Sequence, residues 1–130
     1  MGYYSETGLA LTKNGIEILQ SRLADENVDE KTRQEVKDLF KYARQHHIDP
    51  PTGAEAWYWD SIKWYSDEPV YYPEIDFIEQ LLSELDEDDY RFIRIGEDYD
   101  DTEVRGDFWD NPFNLEISRG IALQPVDIGK

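Results

Sequence analysis

The chain has 130 residues, of which 30 are Asp or Glu and 13 are Lys or Arg, so its formal net charge at pH 7 is −17. Aromatic residues make up 14% of the chain, which is more core material than a disordered acidic tail carries. The length fits one domain over residues 1–130. The charge excludes nucleic acid as a simple electrostatic ligand and favours a basic partner.

The composition also restricts chemistry and location. The chain contains no cysteine, which excludes disulfides, thiol nucleophiles and zinc–thiolate sites. No apolar run exceeds four residues (Ala56 to Trp59), so we expect no transmembrane helix and no membrane partner. The first ten residues lack the basic segment and apolar core of a signal peptide. These features predict a cytoplasmic protein.

The first half of the chain predicts a strand and two helices. Residues 3–11 are aromatic and apolar, as in a short strand that leads into a helix. Thr12 is a suitable N-cap for a helix over residues 13–24. A second amphipathic helix is predicted over residues 29–47, and the prolines at 50 and 51 end it.

Two further helices are predicted in the middle of the chain. The apolar side chains of residues 54–65 share about half of a helical wheel, and Trp59 falls outside that arc. Trp59 is therefore expected either to stack on Lys63 one turn later or to be an exposed anchor. Pro73 fits the first position of a helix that has the clearest 3.6-residue period in the chain. Its apolar positions are Ile75, Ile78, Leu81, Leu82 and Leu85.

After the acidic residues 86–89 the hydrophobic period changes to two. The predicted strands are residues 90–95, residues 102–108 with Gly106 as a weak point, and residues 115–123. Helices followed by clustered strands indicate an α+β fold. We expect three to four helices packed on a small antiparallel sheet formed mainly by the C-terminal third, residues 88–123.

The negative charge is concentrated in the second half of the chain. Residues 1–66 carry a net charge of −3, whereas residues 67–130 carry −14. Between Glu84 and Asp110, twelve acids accompany only three arginines. Apolar residues are interleaved with these acids, which indicates a folded segment that holds its carboxylates in fixed positions.

Metal binding and catalysis have little support in the sequence. A calcium-binding EF-hand loop that began at Asp86 would place Arg91 where the loop requires glycine. His46 and His47 are adjacent on the predicted helix, about 100° apart, and fit a helix C-terminus better than a metal site. Catalytic nucleophile, phosphate-binding and metalloprotease motifs are absent. We expect no enzymatic activity, no metal and no cofactor.

A folded array of carboxylates resembles the phosphate backbone of DNA in its charge. In a strand, alternate side chains lie on one face about 6.5–7 Å apart. A protein that neutralises phosphates with Lys and Arg would bind such an array, with an affinity that falls as salt rises. The carboxylates predicted to contact this basic, nucleic-acid-binding partner are Glu84, Asp86, Glu87, Asp88, Asp89, Glu97, Asp98, Asp100, Asp101, Glu103 and Asp107. The predicted aromatic anchors are Trp59, Tyr71, Tyr72 and Tyr99.

The aromatic residues also indicate an alternative function. The aromatic residues around Trp59 are also typical of a protein–protein interaction module with an aromatic pocket. In that case the acidity would serve solubility only.

Two resemblances support an inhibitor. Val70–Tyr71–Tyr72–Pro73–Glu74 resembles the Tyr-Tyr-Pro element of colicin DNase immunity proteins, which are small, acidic and helical and bind a basic nuclease domain through such tyrosines and nearby acids. The match covers five residues, and the sheet predicted for this chain departs from the fold of those proteins. The stretch from Asp88 to Asp101, with Gly8–Thr12, is similar to small acidic proteins of phages and other mobile elements. That resemblance implies an anti-restriction or anti-CRISPR type of DNA mimic.

Overall fold

A computed structural model describes residues 3–65, 72–98 and 100–108, and the backbone of residues 116–117 and 121–122. Within these ranges the chain has an α+β fold with three α-helices and a five-stranded antiparallel sheet. The elements in chain order are β1 (Ser5–Leu11), α1 (Lys13–Leu23), α2 (Glu30–Lys41), β2 (Gln45–Asp49), β3 (Ala54–Ile62), α3 (Pro73–Glu84), a 3₁₀ turn (Glu87–Asp89), β4 (Tyr90–Ile95), β5 (Thr102–Arg105), β6 (Glu116–Ile117) and β7 (Ile121–Ala122).

The sheet has the strand order β2-β3-β1-β4-β5, with every neighbouring pair antiparallel. The N-terminal strand β1 is central, and its Leu9 lies opposite Trp57 of β3 and Phe92 of β4. The prediction of a sheet formed mainly by residues 88–123 is therefore wrong, because three of its five strands precede residue 63. Strands β6 and β7 pair antiparallel in a second, two-stranded sheet.

Two segments predicted as helix are strands. Residues 54–62 form β3, in which Ala54, Ala56, Trp57 and Trp59 are all buried. A strand that is covered on both faces has no polar side, so its composition also fits a helical wheel. The second helix ends at Lys41, and residues 45–49 form the edge strand β2 instead of its last turns. Gly53, with φ of 78°, closes the turn that joins β2 to β3.

Local signals for the other elements are confirmed. Thr12 caps α1, with its hydroxyl accepting a hydrogen bond from the Gly15 N–H at 3.1 Å. Pro73 begins α3, whose predicted apolar positions are buried. The strand over residues 90–95 is present as β4. Strand β5 ends at Arg105, before the predicted limit, because Gly106 takes φ of 89° and packs against the Tyr90 backbone.

The core lies mainly on the helical face of the sheet. Leu9, Trp59 and Phe92 pack there with the buried side of α3. Trp64 joins this cluster, with its ring centre 6.3 Å from that of Trp59 and 5.3 Å from that of Phe92. The opposite face buries mostly small residues, Ala10, Ala54 and Ala56, together with Ile93. The residues that flank β4, 86–88 before it and 97–98 after it, are exposed.

Candidate functional site: carboxylates at both ends of β4

Nine of the eleven predicted partner-binding acids form two groups at the two ends of β4. Residues 86–89 directly precede this strand, and residues 97–101 directly follow it. Asp107 belongs with the first group, because its N–H donates a 2.6 Å hydrogen bond to the Glu87 carbonyl. A strand of six residues is about 17–20 Å long. The carboxylates therefore form two separate groups, which we call the turn group (residues 86–89 and 107) and the hairpin group (residues 97, 98, 100 and 101).

Most carboxylates of the turn group face solvent. Asp86, Glu87, Asp88 and Asp107 are exposed, and none forms an ion pair or a side-chain hydrogen bond with any residue the structure describes. The backbone that carries them is fixed, since the Asp89 N–H donates to the Asp86 carbonyl at 2.9 Å. A cleft of about 460 Å³ lies beside them and is lined by Glu87 and Asp107 as well as by Arg91 and Arg105.

Asp89 has a different role from its neighbours. Its two carboxylate oxygens accept hydrogen bonds from the Thr12 hydroxyl at 2.7 Å and the Asn14 amide at 2.8 Å. Its carbonyl accepts from the Thr12 N–H at 3.0 Å. Asp89 therefore joins the turn group to the start of α1. Glu84 is also engaged within the molecule, since it forms an ion pair with Arg22.

The hairpin group also divides into anchoring and solvent-facing acids. Asp101 accepts hydrogen bonds from the Tyr3 hydroxyl at 2.6 Å and from Arg94 at 2.8 and 3.2 Å. These bonds, first from Arg94 and then from Tyr3, hold the pKa of Asp101 below its usual range. Glu97 accepts from the Tyr4 N–H at 2.5 Å. Asp98 and Asp100 are exposed, and their carboxylates have no partner in the described part of the chain.

Because Gly96 has no side chain, the Asp101 carboxylate and the Tyr3 hydroxyl can lie close to the backbone at the end of β4. A side chain at this position would collide with the Asp101 carboxylate and the Tyr3 hydroxyl. The Gly96 N–H donates to the Asp101 carbonyl at 2.7 Å, and the Asp98 N–H donates to the Tyr3 hydroxyl at 3.0 Å. The hairpin group is thus held on a fixed backbone.

A row of alternating charges lies between the two groups. Arg94 contacts Glu103 at 3.1 Å, and Arg105 contacts Glu103 at 3.4 Å and Glu79 of α3 at 2.7 Å. Glu79 also accepts a 2.8 Å hydrogen bond from the Trp64 indole. These contacts neutralise Glu103 within the molecule, so it is less available to a partner than sequence alone suggests.

Of the predicted aromatic anchors, the structure describes Trp59 and Tyr72. Trp59 is only 5% exposed, and its indole N–H donates to the Leu39 carbonyl at 2.8 Å. The expectation of an exposed Trp59 is therefore wrong, because this residue belongs to a strand whose inner face is covered by helices. The amino group of Lys63 lies over the ring of Tyr4, 5.5 Å from its centre.

Tyr72 is half-buried, with its ring centre 5.1 Å from that of Tyr65. Tyr71 and Tyr99 lie outside the described residues. Sequence analysis missed Tyr4, which is 43% exposed and whose backbone N–H donates to the Glu97 carboxylate of the hairpin group. The only sequence signal for Tyr4 is its position just before a strand.

The two histidines lie on strand β2 and not at a helix end. The ring of His46 stacks on Trp57 at 5.1 Å, and its Nε2 lies 2.7 Å from the Glu55 carboxylate. Among the described residues there is no group of three or more side chains that would hold a metal ion. None of the described helices has the length and apolar character needed to cross a membrane.

Comparisons with family models, curated proteins and solved structures found no match to this chain.

Proposed function

We propose that the protein is a non-enzymatic inhibitor or decoy that binds a basic, nucleic-acid-handling protein in place of DNA. One observation carries this proposal: solvent-facing carboxylates without a described internal cation are held on fixed turns at both ends of one strand. They are Asp86, Glu87, Asp88, Asp98, Asp100 and Asp107. Neighbouring acids, such as Asp89 and Asp101, hold these turns in place.

The separation of the two groups defines the partner more closely. About 17–20 Å of strand lies between them, whereas the Debye length at physiological ionic strength is about 8 Å. Each group therefore attracts its own set of cations. A protein that grips the DNA backbone presents several such sets, because its phosphate contacts are distributed along the duplex.

Inhibition of this kind requires only that the protein occupy the DNA-binding surface of its partner. No covalent bond is formed or broken. The acidic surface steers the partner into an encounter, and its carboxylates then fill the sites of the phosphates. Anti-restriction and anti-CRISPR proteins of the DNA-mimic type would act in this way. The alternative, an aromatic pocket around Trp59, is not favoured, because Trp59 is buried in the core.

The proposal is tested by charge reversal at one exposed acid from each group. The variant Asp88→Lys/Asp98→Lys should retain at least tenfold less partner from a host-cell lysate than the wild type, because each site loses an attraction and gains a repulsion. The matched control is Glu17→Lys/Glu35→Lys, which changes the net charge equally but on α1 and α2. Equal loss of partner in both variants would show that only net charge matters and would refute a specific surface.

A further inference from the structure

A groove lies between the turn that joins α1 to α2 and the exposed side of α3. Two adjoining cavities of about 130 and 290 Å³ form it, and both are lined by Asn27, Val28, Phe77 and Gln80. Its floor is apolar: Phe77 is half-buried against the core and Leu81 is buried. This groove is separate from the two groups of carboxylates at β4.

One wall of the groove is held by Arg33 of α2. The Arg33 guanidinium donates to the carbonyls of Leu23, Asp25 and Val28 at 2.8 to 3.0 Å. It also contacts Glu30 at 2.6 Å. The α1–α2 turn is therefore fixed by several hydrogen bonds, and the groove is preformed.

The rim of the groove is acidic. Asp25, Asp29 and Asp76 each use one carboxylate oxygen to accept a hydrogen bond from inside the molecule, at 2.8, 2.7 and 2.7 Å. The second oxygen of each has no described partner. The cation that lines the groove, Arg22, is paired with Glu84. An apolar floor below several available carboxylate oxygens is complementary to a long side chain that ends in a cation.

We infer that this groove binds an arginine side chain of a basic protein partner. The methylene stem would lie along Val28 and the guanidinium would stack on the ring of Phe77. A guanidinium directs five N–H donors outward in a plane, so it reaches carboxylates on both sides of the groove. A lysine ammonium is a compact, strongly hydrated charge without this planar set of donors, so it fits the groove less well.

An arginine site in the groove extends the proposed function. It rests on that function in one respect, because both require a basic partner. From Gln80 in the groove to Glu84, α3 makes about one turn, a rise of about 6 Å, and the chain then enters the turn group. One basic face can thus place an arginine in the groove and further cations on Asp86–Asp88. A groove contact would add shape recognition to an attraction that is otherwise only electrostatic.

The test is a titration of the ¹⁵N-labelled protein with an acetylated and amidated Gly-Arg-Gly peptide in 150 mM salt, followed by NMR. The side-chain amides of Asn27 and Gln80 line the groove and are direct reporters. We expect their signals, and the backbone signals of Val28 and Phe77, to shift with a common dissociation constant. The citrulline peptide, which has nearly the same shape without the charge, should bind at least about tenfold more weakly.

Single-residue variants then distinguish binding in the groove from attraction to the acidic surface as a whole. Asp76→Asn should weaken arginine-peptide binding about fivefold, and Phe77→Leu should also weaken it while keeping an apolar floor. Glu17→Gln, away from the groove, should leave it unchanged. Equal binding of a Gly-Lys-Gly peptide, or shifts spread over Asp88 and Asp98, would overturn the inference. Asp88→Lys/Asp98→Lys should still bind the peptide, so failure of the proposed function and failure of the groove are distinguishable.

Discussion

Asp88 and Asp89 are adjacent carboxylates to which the structure gives opposite roles. Asp89 accepts hydrogen bonds from Thr12 and Asn14 at the start of α1, whereas Asp88 is exposed and has no described partner. Replacing each with alanine therefore separates an acid that stabilises the fold from one available for binding. The two variants have the same net charge.

The expected size of the effect follows from these contacts. Asp89→Ala removes two hydrogen bonds to a charged carboxylate, each worth about 1–1.5 kcal/mol because Asp89 is only half-buried. It also removes a negative charge beside the N-terminus of α1, worth about 0.5 kcal/mol. We expect Asp89→Ala to lower the free energy of unfolding by about 2.5–3.5 kcal/mol in total. Asp88→Ala should change it by less than about 0.5 kcal/mol.

Urea denaturation followed by tryptophan fluorescence measures this difference. With a typical slope for a small protein, the midpoint of Asp89→Ala should fall by about 1–2 M, while that of Asp88→Ala stays near the wild type. The effect on partner affinity should follow the opposite order. When only folded protein is compared, Asp88→Ala should lose more affinity for the partner than Asp89→Ala. Equal midpoints for the two variants would refute the assignment of Asp89 as the anchor of the turn group.

Three further predictions concern the hairpin group and the core. Gly96→Ala should destabilise the protein by about 1–3 kcal/mol in chemical denaturation, because the new methyl group displaces Asp101 and Tyr3; an unchanged midpoint would contradict the close approach. Hydrogen bonds from Arg94 and Tyr3 hold the pKa of Asp101 below its usual range, so its stabilising contribution is present above that range and is lost as the pH falls through the lowered pKa. The stability difference between wild type and Asp101→Asn should therefore shrink as the pH is lowered through and below the usual carboxyl range, and a difference independent of pH would refute this assignment. Trp59→Phe should cost about 1–3 kcal/mol and Trp59→Ala about 3–5 kcal/mol, whereas a surface Trp59 would tolerate both.

The parts of the fold that the sequence predicted are those with local signals. Thr12 caps its helix through an atom three residues away, and the apolar period of α3 repeats every turn. The strand β3 has no such signal, because residues on both of its faces are buried. Its sequence therefore lacks the alternation of apolar and polar residues that marks a half-exposed strand. Its place in the sheet depends on pairing with β1, about fifty residues earlier in the chain.

The site was predicted in part for the same reason. The sequence locates the acidic residues, but the side chains they meet are set by strand pairing. Asp101 meets Tyr3 across 98 positions, and Asp89 meets Thr12 across 77. Only the register of β1 against β4 shows which carboxylates are engaged and which, such as Asp98, remain exposed.

The most direct test of DNA mimicry is the affinity of the protein for its captured partner, measured as a function of salt with and without duplex DNA. We predict a dissociation constant that rises steeply with salt concentration, and full displacement of the protein by unlabelled duplex. Asp88→Lys/Asp98→Lys should bind more weakly and with a smaller salt dependence, whereas Glu17→Lys/Glu35→Lys should resemble the wild type. Binding that survives high salt and is unaffected by duplex DNA would contradict the proposal.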